Sequence, residues 1–198
     1  MTKTKILYDG DLENSNGIDI QLPVGDLEIS AGTPHLLATT QSSEGFVSLS
    51  NFKKTQKIIG DNCSLKIKFN PILDLNIVMT EGNITLEKIS PSSLKVLLRE
   101  GGIKLNLIDM TPVTSEIDMN NGHIFGTLQY KSNSNSEMRL KITEGLTNLK
   151  FILPDTLGIK TILKNNFVGI LDLPKDDMLS NLILLRIDAN QGIIKIKK

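Results

Sequence analysis

The sequence has no tryptophan, a single cysteine and few aromatic residues, 4% in all. Each scarcity closes off a class of function. With so few rings, platforms on which bases or sugars could stack are scarce. A lone cysteine, Cys63, excludes intrachain disulfides and any multi-cysteine zinc or iron–sulfur site. Neither sign of charge dominates, since 22 Lys+Arg offset 22 Asp+Glu. A duplex-binding face needs clustered positive charge to displace counterions from phosphates, so nucleic acid is not an expected partner. Uninterrupted apolar runs are short; Leu182 to Leu185 is typical of the longest and falls far short of a membrane span. Met1 to Asp11 lacks the apolar stretch of a secretory signal. The expectation is a soluble, cytoplasmic chain without a membrane span, with peripheral envelope association open. A chain trimmed of a signal or an anchor would read the same way.

What the sequence does have is a repeated pattern. Leu75, Ile77, Met79, Gly82, Ile84 and Leu86 form one unit, and Leu94, Val96, Leu98, Gly101, Ile103 and Leu105 repeat its internal spacing. Each unit is alternating apolar residues, a polar gap, a glycine, then alternation again. Period two is the mark of strands, whereas a helical array would show spacings of three and four. Ile117, Met119, Gly122 and Ile124 make a third unit. Leu140, Ile142 and Gly145 make a fourth, whose alternation resumes late at Leu149, Phe151 and Leu153, as a bulge would require. Ile159, Thr161, Leu163, Asn166, Val168 and Ile170 make a fifth in which Asn replaces Gly, the next residue most tolerant of positive φ. Leu185, Ile187, Ala189, Gly192, Ile194 and Ile196 make the last.

Recurrence at about twenty residues is the signature of a solenoid, in which each repeat alone buries too little and stacking makes the core continuous. The expected fold is all-β, a single-stranded parallel β-solenoid, right-handed and β-helix-like, of about six to nine rungs. With strands ~4.8 Å apart, six rungs make a prism ~30 Å long. Residues 1–16 read as a lead-in, 17–70 as N-terminal strand-rich rungs or a small lead domain, and 71–198 as the glycine-punctuated repeats. Within 17–70, Ile18, Ile20, Leu22, Leu27 and Ile29 alternate, a loop follows over Thr39 to Gly45, and Leu65, Ile67 and Phe69 alternate with Lys66 and Lys68. Helices are few; Asp176 to Leu185 is the best candidate, as a cap or connector.

The stretch Asp19 to Leu37, reading DIQLPVGDLEISAGTPHLL, resembles the opening of the toast-rack, LiaF-like family, which is itself similar to the adhesin-like β-solenoids. Asn70-Pro71-Ile72-Leu73-Asp74-Leu75 resembles the entry to the second half of such proteins, and the Gly82 and Gly101 units then follow. The likeness covers residues 17 to 198. It implies a β-solenoid tied to cell-envelope stress sensing or surface attachment, acting through protein contacts without catalysis. Many members of that family carry membrane helices, which this sequence does not show. No catalytic residue carries over.

His35 and His123 sit beside turns, without a second His or a Cys at ligand spacing. Asp9, Asp11 and Glu13 have part of the spacing of a calcium loop, but Ile20 stands where its bidentate carboxylate belongs, so a solvated turn is the simpler reading. No nucleophile elbow, phosphate-binding glycine loop or dinucleotide fingerprint is present. Lys53, Lys54 and Lys57 are a modest basic patch, read as a solvated strand face. Stacking would align the residues before each glycine into a polar turn ladder of Glu81, Glu100, Asn121, Glu144, Asn165 and Gln191, with Gly82, Gly101, Gly122, Gly145, Asn166 and Gly192 as structural turns. That edge could hold a cation or a basic partner; amide and carboxylate ladders also simply suit stacked strands. No catalytic, cofactor-binding or metal residues are assigned, and no cofactor is expected.

The expected function is a non-enzymatic structural or protein-interaction module whose ends or faces bind a protein partner or a second copy. The alternatives are a bactofilin-like scaffold that polymerises end to end and, from another class, a β-helix enzyme acting on polysaccharide. Such an enzyme would place clustered carboxylates or one of Arg99, Arg139 and Arg186 in a groove. The final strand, with Lys195, Lys197 and Lys198, is expected to be the terminal edge, where its lysines would blunt stacking.

Overall fold

The computed structural model describes residues 3–13, 15–69, 74–110, 114–132 and 134–198. The Asn70–Leu73 break, the proposed boundary after residue 70, and Asn14 lie outside them. Strands make up most of the described residues, with no helix among them: β1 (Lys5–Asp11), β2 (Gly17–Ala31), β3 (His35–Thr40), β4 (Phe46–Phe52), β5 (Thr55–Asp61), β6 (Cys63–Phe69), β7 (Asp74–Glu87), β8 (Ser93–Met110), β9 (Thr114–Tyr130), β10 (Ser136–Ile152), β11 (Leu157–Lys164), β12 (Val168–Asp172) and β13 (Asn181–Lys197). All thirteen join one sheet.

The long strands are bent, and the bend explains the repeat. In β7 the buried residues are Leu75, Ile77 and Met79, then Ile84 and Leu86. Inward-facing positions switch from odd to even numbers across Thr80–Asn83, which a regular pleat cannot do. Gly82 makes the switch at φ +138°, outside the reach of other residues. Both arms of the strand therefore turn their aliphatic side chains toward the same core. β8 and β9 repeat the device at Gly101 and Gly122.

These bent strands pair in parallel in the order β2, β7, β8, β9, β10, β13. The register sets like on like: Ile84 lies beside Ile103, and Ile103 beside Ile124. Burying each such aliphatic side chain contributes about 1.5–3 kcal/mol. Tyr130 and Phe151 stack with ring centroids 6.1 Å apart at one side of the core.

The structure corrects the sequence reading at several points. The sheet is mixed, not purely parallel, because β3 pairs antiparallel with β6, β1 with β3, and β4 with β5. For β4 and β5 the cause is local: they form a hairpin whose two-residue loop, Lys53-Lys54, is left-handed at both positions (φ 47° and 67°), the geometry that matches strand twist. Those lysines are thus a turn, not a strand face. The expected helix over 176–185 is absent. Residues 174–180 form no regular element, and from Asn181 the chain joins β13, because Ile183, Leu185 and Ile187 alternate inward against β10.

Chain order and stacking order also part company. β13 lies between β10 and the pair β11 and β12, so the last strand is internal and its lysines do not mark the terminal edge. In the outer layer the glycine that stacks on Gly192 is Gly169 (φ +147°), not Asn166. Leu163 pairs with Ile187 and Gly169 with Gly192, so this layer holds one more residue between those positions than β13 does. Asn165, in left-handed conformation (φ 72°), lies in that unpaired connection.

No bulge delays the fourth unit. β10 pairs with β9 without a register break, and Thr147 fills the inward slot between Ile124 and Ile194. Its hydroxyl is fully buried without a hydrogen-bond partner among the described residues. Thr147→Val keeps the shape and removes that orphan, so it is expected to stabilise the protein by about 1 kcal/mol. A higher midpoint in thermal or urea unfolding would show it; an unchanged or lower one would mean that the hydroxyl is satisfied.

Candidate functional site

The residues preceding the stacked glycines form a row along the outer corner of the bend. Pairing places Val24, Glu81, Glu100, Asn121, Glu144, Gln191 and Val168 in successive register. Asn165 is not in this row; Val168 takes its place for the reason that Gly169 replaces Asn166. Glu81 and Glu100 are adjacent, whereas Asn121 separates Glu100 from Glu144 by two strand spacings, about 10 Å. Among the described residues no group of three or more His, Cys, Asp or Glu side chains is placed to hold a metal ion.

A second feature occupies the outer face of the first arms, toward β13. Glu137 Oε1 accepts hydrogen bonds from Arg139 Nε at 2.7 Å and from Arg186 Nε at 2.9 Å. The Arg139 guanidinium, burial and then Arg186 act on this carboxyl, and the net effect holds it below the usual carboxylate range. One layer on, Lys141 Nζ donates to Asp118 Oδ2 at 2.8 Å. Glu116 and Lys95 lie 4.0 Å apart in the same field. The arrangement is cross-strand charge pairing, which arises because outward residues two apart stand in columns. Beside it a shallow cavity of about 620 Å³ is lined by Ser136, Glu137, Lys160 and Ser180 above Leu182 and Leu184. Its one carboxylate is already engaged by two arginines. Sequence reasoning found Arg139 and Arg186 but not their shared acceptor, because the register that joins them puts residues 49 positions apart together.

The remaining candidates are separate from this field. His35 contacts Asp9 Oδ1 through Nε2 at 2.9 Å and Asp11 Oδ1 through Nδ1 at 3.4 Å, tying β3 to β1. Asp9 and Asp11 thus serve a strand-to-strand contact. His123 is exposed, its ring tilted against Phe125 at 5.2 Å. Arg99 is exposed on β8. Cys63 is buried, and its thiol lies 3.5 Å from the Phe46 carbonyl oxygen. Burial pushes its pKa up to about 11 from 9. The native thiol should therefore resist alkylation at mildly alkaline pH and react readily once the chain is unfolded. Rapid labelling of the native protein would contradict that placement. Between pH 9 and 11 the unfolded chain loses the proton first, so this group's contribution to stability is complete below pH 9 and declines as pH rises toward 11.

No protein-family profile matches the chain, and no curated protein matches it. Solved structures do. A structure from Clostridium sporogenes, provisionally assigned to cell adhesion, is 16% identical with a TM-score of 0.51, covering 98% of both chains. A provisionally assigned adhesin from Parabacteroides distasonis is 11% identical with a TM-score of 0.43 over 98% of this chain and 96% of that one. Another from Bacteroides fragilis is 13% identical with a TM-score of 0.37, covering 100% and 97%. The first of these shows that the chain shares its fold along nearly its whole length. Among the described residues no helix is long and apolar enough to cross a membrane.

Proposed function

We propose that this chain is a non-enzymatic adhesion or protein-interaction module, built as a short β-solenoid in which residues 17–69 supply the first layers. The observation that carries the reading is the in-register parallel stack from β2 to β13 with its column of glycine bends, which repeats one bent layer and leaves broad outer faces for contact. The C. sporogenes fold likeness supports it in kind. Kinship with the toast-rack, LiaF-like proteins, and with it an envelope-stress role, belongs to the same proposal and rests on the Asp19–Leu37 stretch.

At the cavity beside β13 the polysaccharide enzyme is disfavoured by the state of the carboxylate that lines it. A glycosidase needs one carboxyl kept protonated as a general acid beside a second one. Glu137 is held ionised by two guanidinium groups instead. Beads coated with the full chain should adhere to cell surfaces or to immobilised surface proteins above beads coated with an inert protein of similar size. Absence of adhesion, together with hydrolysis of a polysaccharide panel, would overturn the proposal.

A further inference from the structure

The two ends of the stack are built differently. At one end β5 and β6 are closed by the antiparallel strands β4, β3 and β1. β1 carries a register shift between Ile6 and Tyr8, and Glu13 accepts a hydrogen bond from Asn51 of β4. Bulges and charges are the usual protection of a strand edge. At the other end, among the described residues, only β11 is covered. Asp177 Oδ2 accepts the Ile159 N–H and Asp176 Oδ1 accepts the Thr161 N–H, each at 2.8 Å, while the Asp177 N–H donates to the Ile159 carbonyl at 3.0 Å.

Among the described residues β12 has no such cover and pairs with β13 alone, and every residue in it is exposed, Val168 at 70% and Ile170 at 56%. In a parallel pair part of each strand's N–H and C=O groups point away from the partner, so β12 presents an unused hydrogen-bonding edge. Alongside it, Leu163 and Leu171 continue the core columns of Ile187 and Ile194 yet are 39% and 38% exposed. An open strand edge and the open end of the core coincide.

The glycine column and the covered opposite end narrow the occupant. A Cβ on Gly169 would lie 1.9 Å from the Gly192 carbonyl oxygen, and each glycine in the column stands in that relation to its neighbour. A further parallel layer on β12 would need a glycine over Gly169. At the opposite end of a second copy β3 already covers β6 and β4 covers β5, so no free strand is offered to β12 there. Head-to-tail growth is therefore obstructed, which also argues against an end-to-end filament. The like-to-like arrangement is not. The end layer, residues 153–180, mixes Lys160, Lys164 and Lys175 with Asp155, Asp172, Asp176 and Asp177, so no single sign repels an identical copy.

We infer that β12 pairs antiparallel with β12 of a second copy about a two-fold axis at Ile170, making a homodimer that seals the exposed end of both cores. This setting places Val168 opposite Asp172 and Gly169 opposite Leu171. The inference goes beyond the adhesion reading and holds whether or not that reading does.

Sedimentation of the full chain across the micromolar range should show a concentration-dependent dimer. Ile170→Lys sets two ammonium groups against each other at the axis and should weaken the dimer at least ~30-fold, with unfolding unchanged because the side chain is exposed. Phe52→Lys, at the other end, should leave the dimer intact. Ile170→Cys should give a disulfide-linked dimer under mild oxidation, since Cα atoms facing across an antiparallel pair are ~4.5–5.5 Å apart, within disulfide reach. A monomer at every concentration would overturn the inference and leave the edge to a strand from another protein. So would growth into filaments, a dimer indifferent to Ile170→Lys, or one abolished by Phe52→Lys.

Discussion

Gly101→Ala is expected to destabilise the protein by at least ~3 kcal/mol and to leave little of it soluble. The backbone there is at φ +137°, a conformation that L side chains scarcely adopt, at a strain of about 1–3 kcal/mol. The new methyl would also fall 1.8 Å from the Gly82 carbonyl oxygen. That oxygen belongs to the next layer's bend, itself packed on Gly25, so it cannot retreat without moving a second layer. Gly82→Val should be at least as damaging, its Cβ position being 1.7 Å from the Gly25 oxygen. Gly32→Ala is the control. Its methyl would meet only the flexible Lys68 side chain, at 3.3 Å, so the change should stay within about 0.5 kcal/mol. Urea unfolding of the three variants would separate column from surface. A neutral Gly101→Ala would mean that the layers do not approach at the bend as closely as these distances state.

Ile103→Asp should unfold the chain outright, a loss of more than ~4 kcal/mol. Ile103 is fully buried, with Ile84 and Ile124 beside it in the adjacent layers. A carboxylate there would have aliphatic neighbours on both sides in its column, and it would either stay protonated at a large cost or break the stack. Ile84→Asp should behave alike. Lys104→Asp, one residue on and facing outward, should cost less than about 0.5 kcal/mol. Circular dichroism and solubility suffice as readouts. Soluble, cooperative folding of Ile103→Asp would show that the inward assignment is mistaken.

Much of this architecture was legible because each layer writes its own pattern. Leu75, Ile77, Met79, Gly82, Ile84 and Leu86 announce two arms and a bend, and all five apolar residues are buried. The reading failed where a layer departs from the pattern by one residue. The extra residue between Leu163 and Gly169 shifted the apparent bend to Asn166, and with it Asn165 was placed in the polar row that Val168 occupies. Thr147 was passed over because a polar residue in an inward slot breaks alternation on paper while filling the slot in space. The Glu137–Arg139–Arg186 contact could be sought only once the β10–β13 register was known.

Composition and periodicity by themselves determined that this is an all-β chain whose alternation breaks at regularly spaced glycines, because side-chain alternation and positive φ are properties of neighbouring residues. Which strand lies beside which was decided by tertiary structure alone. The insertion of β13 between β10 and the β11–β12 layer, and the antiparallel closure over β5 and β6, depend on backbone hydrogen bonds between segments far apart in sequence. A parallel ladder accepts any strand of the right pattern, so the residues state that layers stack but not in what order. That order leaves β12 as the open edge, and it sets the last strand inside the stack with its lysines exposed on the outer face rather than at an end.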